Sequence, residues 1–309
     1  MKAIAAFFRL VRWPNLLFIV ITQVLFRYFI LPFAYLEGHE GYETIKLNTS
    51  LFFLLVLASV CIAGAGYIIN DYFDVNIDQV NKSSKVIIGR FIKRRWAIVL
   101  HAFLSLVGLV LSMYVGYRLS NIFIPLFNFV AIFILLVYST TFKKKLLIGN
   151  ILISLLTAWV ILVMTLAEYR FRISPNDVIW HRLLKLSFVY AGFAFIISLV
   201  REVIKDMEDR EGDMRYGCTT MPIVWGVPVS KVFAGVWIVV LAAMVAAIQI
   251  YVIQLGWWFS ALYSVGAIII PLIWVLRKLY TANTPEQFHY LSTAIKLIMF
   301  AGILSMVFF

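Results

Sequence analysis

The stretch NDYFDVNID at residues 70–78 has a counterpart, KDMEDREGD, at residues 205–213. Aspartates occupy the second, fifth and ninth positions of both, and each aspartate of the second stretch lies 135 residues after its counterpart. The first motif contains Asp71, Asp74 and Asp78, and the second motif contains Asp206, Asp209 and Asp213. Positions i, i+3 and i+7 share one face of a helix. Each motif is therefore predicted to present three carboxylates in one direction.

The composition predicts a polytopic membrane protein. Of the 309 residues, 63% are hydrophobic and only 14% are charged, which is too little polar surface for a soluble protein of this length. Nine apolar runs are long enough to cross a bilayer. They cover residues 10–35, 51–69, 97–117, 122–138, 146–166, 183–203, 232–253, 257–274 and 290–309. We therefore expect an all-α, polytopic membrane helical bundle that forms a single domain over residues 1–309.

The distribution of lysine and arginine predicts the orientation of these helices. One side of the membrane carries 19 of them and the opposite side carries 5. Because positive charge accumulates on the cytoplasmic side, the N-terminus and both aspartate motifs are predicted to be cytoplasmic, in the cell (inner) membrane. The net charge of +12 is explained by this orientation together with a phosphate-binding face, and it gives no reason to infer nucleic-acid binding.

Each motif belongs to the same local pattern: an apolar helix, three aspartates, and then a basic loop of about 20 residues. This pattern predicts an internal repeat with cytoplasmic cap loops. Carboxylates this close together repel one another unless cations lie among them. Mg²⁺ prefers such hard oxygen ligands, and it usually shares its remaining positions with substrate phosphates. The six aspartates are therefore predicted to be catalytic Mg²⁺ ligands that act on a diphosphate.

Cationic and amide side chains near the motifs are the candidates for substrate binding. Ammonium and guanidinium groups hold phosphate oxygens well. The predicted substrate-binding residues are Asn70, Lys82, Lys85, Lys143, Arg201 and Lys205. For the cluster at 143–145, simple anchoring at the cytoplasmic surface explains the charges equally well.

The motifs resemble those of the UbiA superfamily of intramembrane prenyltransferases, over essentially the whole chain. Within that superfamily, residues 201–213 are most similar to the branch that makes digeranylgeranylglyceryl phosphate. Tyr138-Ser139, Lys143-Lys144, Gly149-Asn150 and residues 220–223 are similar to that branch as well. The resemblance implies Mg²⁺-dependent transfer of a geranylgeranyl group to the hydroxyl of a glyceryl phosphate-type lipid. It also implies a catalytic role for Tyr138 near the reactive allyl group.

One loop departs from the family pattern. The family commonly has a stretch of the form Asn-Arg-Pro-x-Arg-Pro after the first motif, whereas this chain has Asn81-Lys82-Ser83-Ser84-Lys85-Val86, without proline. Both basic positions are retained, so we still expect diphosphate binding there. The shape of the loop is left open, and with it the preference for acceptor or prenyl chain length.

Other functions also fit parts of the sequence. An aromatic acceptor, such as 4-hydroxybenzoate, homogentisate or a naphthoate, would need the same aspartates. An ion or carboxylate transporter would instead place its ionisable residues near the bilayer midplane, and a phosphatidyltransferase would carry an Asp-Gly-x-x-Ala-Arg string, which is absent. The surplus of cations favours a phosphate-bearing acceptor over an uncharged phenol. No obligate protein partner is indicated.

Overall fold

The computed structural model describes residues 2–35, 45–81, 86–169 and 177–309, without the side chains of Lys2, Ala3, Asp78, Val80 and Asn81. Helices make up the regular structure of these ranges, and the pairing of Ile88 with Ile92 is an isolated bridge. The α-helices are α1 Lys2–Leu10, α2 Trp13–Leu25, α3 Leu31–Tyr35, α4 Thr49–Asn81, α5 Arg94–Arg118, α6 Phe123–Thr140, α7 Ile148–Glu168, α8 Val178–Glu208, α9 Arg210–Arg215, α10 Met221–Val224, α11 Gly226–Gln254, α12 Trp258–Ser264, α13 Ile270–Thr281 and α14 Pro285–Leu304. The predicted all-α class is confirmed.

Nine helical stretches within the described ranges are long and apolar enough to cross a membrane. They are Trp13–Tyr35, Thr49–Ile77, Arg94–Arg118, Phe123–Thr140, Ile148–Glu168, Val178–Glu208, Gly226–Gln254, Trp258–Thr281 and Pro285–Phe308. An apolar segment in lipid must satisfy its own backbone hydrogen bonds, and a helix does so within the segment. The chain is thus an integral, multi-pass membrane protein, as predicted.

Several helices extend beyond the apolar runs that predicted them. The run at 51–69 becomes α4, which continues through the first motif to Asn81, and the run at 183–203 becomes α8, which ends at Glu208. Two spans contain a π-helical turn, at Phe26–Ile30 between α2 and α3 and at Val265–Ile269 between α12 and α13. The polar motifs therefore lie on continuations of membrane helices.

The chain divides into two compact units. Unit one comprises Met1–Lys143 and Trp159–Phe188, and unit two comprises Lys144–Ala158 and Val189–Phe309. The first aspartate motif belongs to unit one and the second to unit two. Each unit is described separately below.

In unit one, α4 and α5 pack at close range because Gly108 has no side chain. A Cβ at Gly108 would lie 2.7 Å from Cγ1 of Ile62 and 3.2 Å from the carbonyl oxygen of Ala58. The motif end of α4 packs in a second apolar cluster with α1 and the segment before α5. Its buried members are Ala6, Leu10, Val11, Ile68, Val75, Ile87, Ile88 and Ala97. This cluster fixes the backbone that carries the first motif.

Unit one also contains a buried carboxylate away from the motif. Glu168, at the end of α7, is 2% exposed and accepts hydrogen bonds from the Tyr35 hydroxyl at 2.8 Å and from the backbone N–H groups of Lys46 and Leu47, both at 2.9 Å. These donors satisfy a charge that would otherwise be costly to bury. They also tie α7 to α3 and to the chain that leads into α4.

In unit two, the core is built from α8, α10, α11, α13 and α14. On α8 the core residues near the motif are Val203, Ile204 and Met207, each 3% exposed or less. Glu202 and Asp206 are four residues apart and lie on another face of the same helix, where they are partly exposed. The helical period thus separates the apolar face of α8 from its charged face.

Candidate active site

The first motif lies on the last turns of α4, and its helical backbone agrees with the prediction. Asp71 and Asp74 are three residues apart and therefore on neighbouring turns of one face. The side chain of Asp78 lies outside the described parts, as do Lys82 and Lys85. Their predicted roles as metal ligand and diphosphate ligands stay predictions.

Asp74 is almost fully buried, with 3% of its surface exposed, and it accepts hydrogen bonds from two side chains. The amide of Asn70, one turn earlier, donates to Asp74 Oδ2 at 2.7 Å. The ammonium of Lys143, in the short turn after α6, forms an ion pair with the same oxygen. Three predicted site residues, Asn70, Asp74 and Lys143, are therefore brought together within unit one.

Asp71 is paired with Arg12, one of the 19 lysines and arginines whose distribution predicts the orientation. The guanidinium of Arg12 donates to Asp71 Oδ1 at 2.7 Å and lies 5.2 Å from the ring centroid of Tyr67, one turn earlier on α4. Arg12 joins α1 to α2 with a φ of 52°, a left-handed conformation that costs a non-glycine residue on the order of 1 kcal/mol. Such strain persists only where the surrounding structure imposes it, and here it accompanies the ion pair to Asp71.

The charge of Arg12 is favoured by this environment. Burial, the largest single effect, lowers the pKa of its guanidinium, but the combined effects of the Asp71 carboxylate, Tyr67 and Asp74 outweigh it. The net result is a pKa of Arg12 raised above its ordinary value. A permanent cation is thus fixed beside the first motif.

The second motif, unlike the first, does not lie on one uninterrupted helix. Asp206 lies on α8, but α8 ends at Glu208, Asp209 occupies a bend with φ −91° and ψ 5°, and Asp213 lies on α9. Backbone hydrogen bonds from Asp209 N to Lys205 O and from Asp213 N to Asp209 O continue the helical pattern across the bend. α9 starts directly after Asp209, whose side chain makes no capping hydrogen bond to the first turn of α9.

Asp206 and Asp213 have surroundings that the sequence did not reveal. Asp206 Oδ2 accepts a hydrogen bond from the amide of Asn150, on the first turn of α7, at 2.8 Å. Asp213 is 8% exposed, and its carbonyl oxygen accepts from the backbone N–H of Cys218 at 3.0 Å. The second motif is therefore held by contacts with both preceding and following segments of unit two.

Glu202 pairs with both cations that were predicted to bind substrate on α8. One Glu202 oxygen lies 2.8 Å from Arg201 Nη1, and the other lies 3.7 Å from Lys205 Nζ. Its side chain is 14% exposed, whereas those of Arg201 and Lys205 are 25% and 27% exposed. Glu202 thus offsets part of the positive charge that a phosphate would meet on this helix.

Tyr138 lies in the last turns of α6 and is half-buried. Its predicted role beside the allyl group stays a prediction. Sequence reasoning gave no site role to Arg12, Asn150 or Glu202, although Asn150 and Glu202 lie within stretches that carry the family resemblance. Glu202 could have been found from its position one turn before Asp206, but Arg12 and Asn150 meet their aspartates across 59 and 56 residues of chain.

The donor set suits Mg²⁺ that is shared with a phosphate group. Among the described residues, no three histidine, cysteine, aspartate or glutamate side chains converge closely enough to hold a metal ion by themselves. Mg²⁺ commonly binds through one or two carboxylates and completes its shell with water and phosphate oxygens. Asp71 with Asp74 in unit one, and Asp206 with Asp209 and Asp213 in unit two, provide carboxylates of that kind, and the cations beside them suit phosphate oxygens.

The model of the UbiA prenyltransferase family matches residues 39–300, which is most of the chain. This chain belongs to the UbiA prenyltransferase family. It is therefore a prenyltransferase, and the family resemblance read from the two aspartate motifs is confirmed. A transporter or a phosphatidyltransferase is not supported.

Individual relatives of this UbiA prenyltransferase agree with the family match. The digeranylgeranylglyceryl phosphate synthase of Methanothermobacter thermautotrophicus is 33% identical over 220 residues, which cover 68% of each chain. A solved structure described as that of a digeranylgeranylglyceryl phosphate synthase aligns with a TM-score of 0.63 and 24% identity, over 99% of this chain and 98% of the other. A UbiA homologue from Archaeoglobus fulgidus, solved with DMAPP and Mg²⁺, aligns with a TM-score of 0.56 and 14% identity, over 97% and 99% of the two chains. The two structures support the UbiA fold.

Proposed function

We propose that this UbiA prenyltransferase transfers a geranylgeranyl group from its diphosphate to the hydroxyl of a glyceryl phosphate-type lipid acceptor, with Mg²⁺ as cofactor. The observation that carries the proposal is that two motif carboxylates on α4 form ion pairs with cations from other segments of unit one. Arg12 pairs with Asp71, and Lys143 pairs with Asp74. The carboxylates suit Mg²⁺, and the cations beside them suit the oxygens of a diphosphate.

The aspartates of both motifs would hold Mg²⁺, and the nearby cations would hold the diphosphate. Asp71, Asp74 and Asp78 provide the first set of carboxylates, and Asp206, Asp209 and Asp213 provide the second. Bound Mg²⁺ would neutralise negative charge that develops on the leaving diphosphate. Lys143, Lys82 and Lys85 would stabilise the same charge through the chain's own ammonium groups. Both effects lower the barrier to breaking the allylic carbon–oxygen bond.

Breaking this bond leaves an allylic carbocation, which water would quench. Apolar membrane helices exclude water and can accommodate a long isoprenoid tail. We assign Tyr138 to the stabilisation of the cation, because a tyrosine ring presents a negative face to a positive charge. The acceptor hydroxyl then forms the new carbon–oxygen bond and releases its proton.

The acceptor is proposed to carry a phosphate because the chain has more cations than a single diphosphate with Mg²⁺ requires. Arg201 and Lys205 share Glu202, while Arg210 and Arg215 are exposed on α9. A neutral phenol would make no use of them, and the single carboxylate of 4-hydroxybenzoate carries less negative charge than a phosphate monoester. Several relatives are named digeranylgeranylglyceryl phosphate synthase, which agrees with this choice.

A comparison of three acceptors, each supplied separately, tests the proposal. Purified protein is given radiolabelled geranylgeranyl diphosphate, Mg²⁺ and one of three acceptors: geranylgeranylglyceryl phosphate, the same lipid without its phosphate, or 4-hydroxybenzoate. We expect product from the first acceptor, and a large rise in KM when the phosphate is missing. Efficient prenylation of 4-hydroxybenzoate with no product from the glyceryl phosphate would contradict the proposed acceptor and support the aromatic alternative.

We also propose that both motifs face the cytoplasm from the cell membrane. The 19 to 5 split of lysine and arginine supports this orientation. Single cysteines introduced at Lys144 and at Arg118 would test it in intact cells with a membrane-impermeant thiol reagent. We expect labelling at position 118 only, whereas labelling at position 144 alone would reverse the orientation.

A further inference from the structure

The first aspartates of the two motifs, Asp71 and Asp206, occupy equivalent positions but have chemically different partners. Asp71 is bound by the guanidinium of Arg12 at 2.7 Å, whereas Asp206 is bound by the neutral amide of Asn150 at 2.8 Å. No ion pair to Asp206 is found within the described part of unit two. The repeated motif is thus supported by a cation in one unit and by an amide in the other.

The backbone around Asn150 is fixed within unit two. Asn150 is 8% exposed and lies on the first turn of α7, and its carbonyl oxygen accepts a hydrogen bond from the Ser154 hydroxyl at 2.7 Å. The turn before α7 contains Leu147, whose φ of 58° is left-handed. The Lys144 carbonyl accepts from the N–H of Thr219 at 2.7 Å and from its hydroxyl at 3.0 Å. These contacts hold the donor in place before any ligand arrives.

An amide and a guanidinium have different effects on a carboxylate that must bind a metal ion. Both orient it, but a guanidinium also neutralises its charge and competes with the metal. A neutral donor fixes one oxygen and adds no positive charge of its own beside the carboxylate. Hydrogen bonds of this kind to a ligating carboxylate typically change metal affinity or activity by about 10- to 100-fold when they are removed.

We propose that Asn150 is a positioning residue that orients Asp206 for Mg²⁺ without neutralising it. This inference rests on the proposed function, in which Asp206 binds Mg²⁺. Asn150 acts through Asp206 and not on the substrate. Its removal should therefore weaken metal binding while the fold is retained.

Asn128 provides a matched control for a buried amide. It is 2% exposed, and its side chain bonds the Ser112 hydroxyl at 2.8 Å and the indole N–H of Trp159 at 2.9 Å, all within unit one. Asn128→Ala removes a similar group from a helix contact without an aspartate. Its effect should be limited to stability.

The test measures Mn²⁺ binding to the full-length, detergent-solubilised protein by the loss of the free-ion signal in electron paramagnetic resonance. We expect about tenfold weaker binding for Asn150→Ala and binding close to wild type for Asn128→Ala. Adding Asn150→Ala to Asp206→Ala should weaken binding no further than Asp206→Ala alone, because the two residues act as one unit. In turnover assays, Asn150→Ala should raise the Mg²⁺ concentration needed for half-maximal rate, with much of the loss recovered at saturating Mg²⁺.

The outcomes separate this inference from the proposed function. If Asp206→Ala leaves Mn²⁺ binding unchanged, the metal role of Asp206 is wrong and this inference is wrong with it. If Asp206→Ala weakens binding but Asn150→Ala does not, the positioning role alone is wrong. Should Asn150→Ala fail to fold, the same comparison is made with Asn150→Ser, which retains a small polar group but cannot span the 2.8 Å contact to Asp206.

Discussion

Replacing Lys143 by methionine should separate the stability of the first motif from its catalytic use. The substitution keeps most of the side-chain volume but removes the cation paired with Asp74, whose side chain is only 4% exposed. A hydrogen bond to a charged group contributes about 1.5–3 kcal/mol. Since 32% of the Lys143 side chain is exposed to solvent screening, we expect a loss of about 1–2 kcal/mol in the free energy of unfolding. Turnover should fall by about 100-fold, the usual effect of removing one group that stabilises developing negative charge.

The assay compares thermal unfolding midpoints with turnover of radiolabelled geranylgeranyl diphosphate at saturating Mg²⁺. Lys144→Met is the matched control, because Lys144 is exposed in the same turn and contacts Thr219 only through its carbonyl oxygen. The double variant Lys143→Met/Asp74→Asn removes both charges, so stability should recover while turnover stays low. If Lys143→Met lowers the unfolding midpoint but keeps turnover within about threefold of wild type, a change worth less than 1 kcal/mol in the barrier, Lys143 serves only as an anchor.

Further predictions concern the charges and packing of unit two. Asp209→Asn should lower turnover by about 100-fold or more without a comparable loss of stability, since it removes a proposed metal ligand from a bend and not from the core; near-normal turnover would contradict its role. Glu202→Gln should strengthen inhibition by inorganic diphosphate several-fold, because it removes the carboxylate that offsets two cations, and an unchanged inhibition constant would assign Glu202 to structure alone. Gly302→Ala should lower the unfolding midpoint, because the new Cβ would lie 2.2 Å from the Phe193 ring. Gly192→Ala is the control and should not lower it, because its Cβ would have no neighbouring atom within 4 Å. Equal midpoints for the two variants would contradict this packing argument.

Much of the fold could be predicted from the sequence because the bilayer leaves an apolar segment few alternatives. A run of about 20 apolar residues must form a helix in lipid, so nine spans and the all-α class followed from hydropathy, and the described ranges contain nine such helices. The helical position of Asp71 and Asp74 could also be predicted from the sequence, because α4 continues beyond its apolar part. The bend at Asp209, between the end of α8 and the start of α9, was not predicted, because a regular spacing of aspartates does not show where one helix ends and the next begins.

The partners of the motif carboxylates could not be predicted by local reasoning. Spacing along one helix predicts neighbours at i+3 and i+4, as for Asn70 and Asp74. The contacts of Arg12 with Asp71, Lys143 with Asp74 and Asn150 with Asp206 join positions 59, 69 and 56 residues apart. Such pairs depend on which helix faces pack together, and hydropathy leaves that choice open.

The sequence alone determined that this chain crosses the membrane repeatedly, that two equivalent sets of carboxylates end two of its helices, and that cations surround them. These properties follow from residue type and period, which act locally. Tertiary structure decided which charge meets which carboxylate: a guanidinium at Asp71, an ammonium at Asp74 and a neutral amide at Asp206. It also placed Glu202 in ion pairs with Arg201 and Lys205, two cations predicted to bind substrate. The physical reason is that the residue type at one position fixes the charge and length of its side chain. Which partner that side chain meets depends on how apolar faces far apart in the sequence pack together.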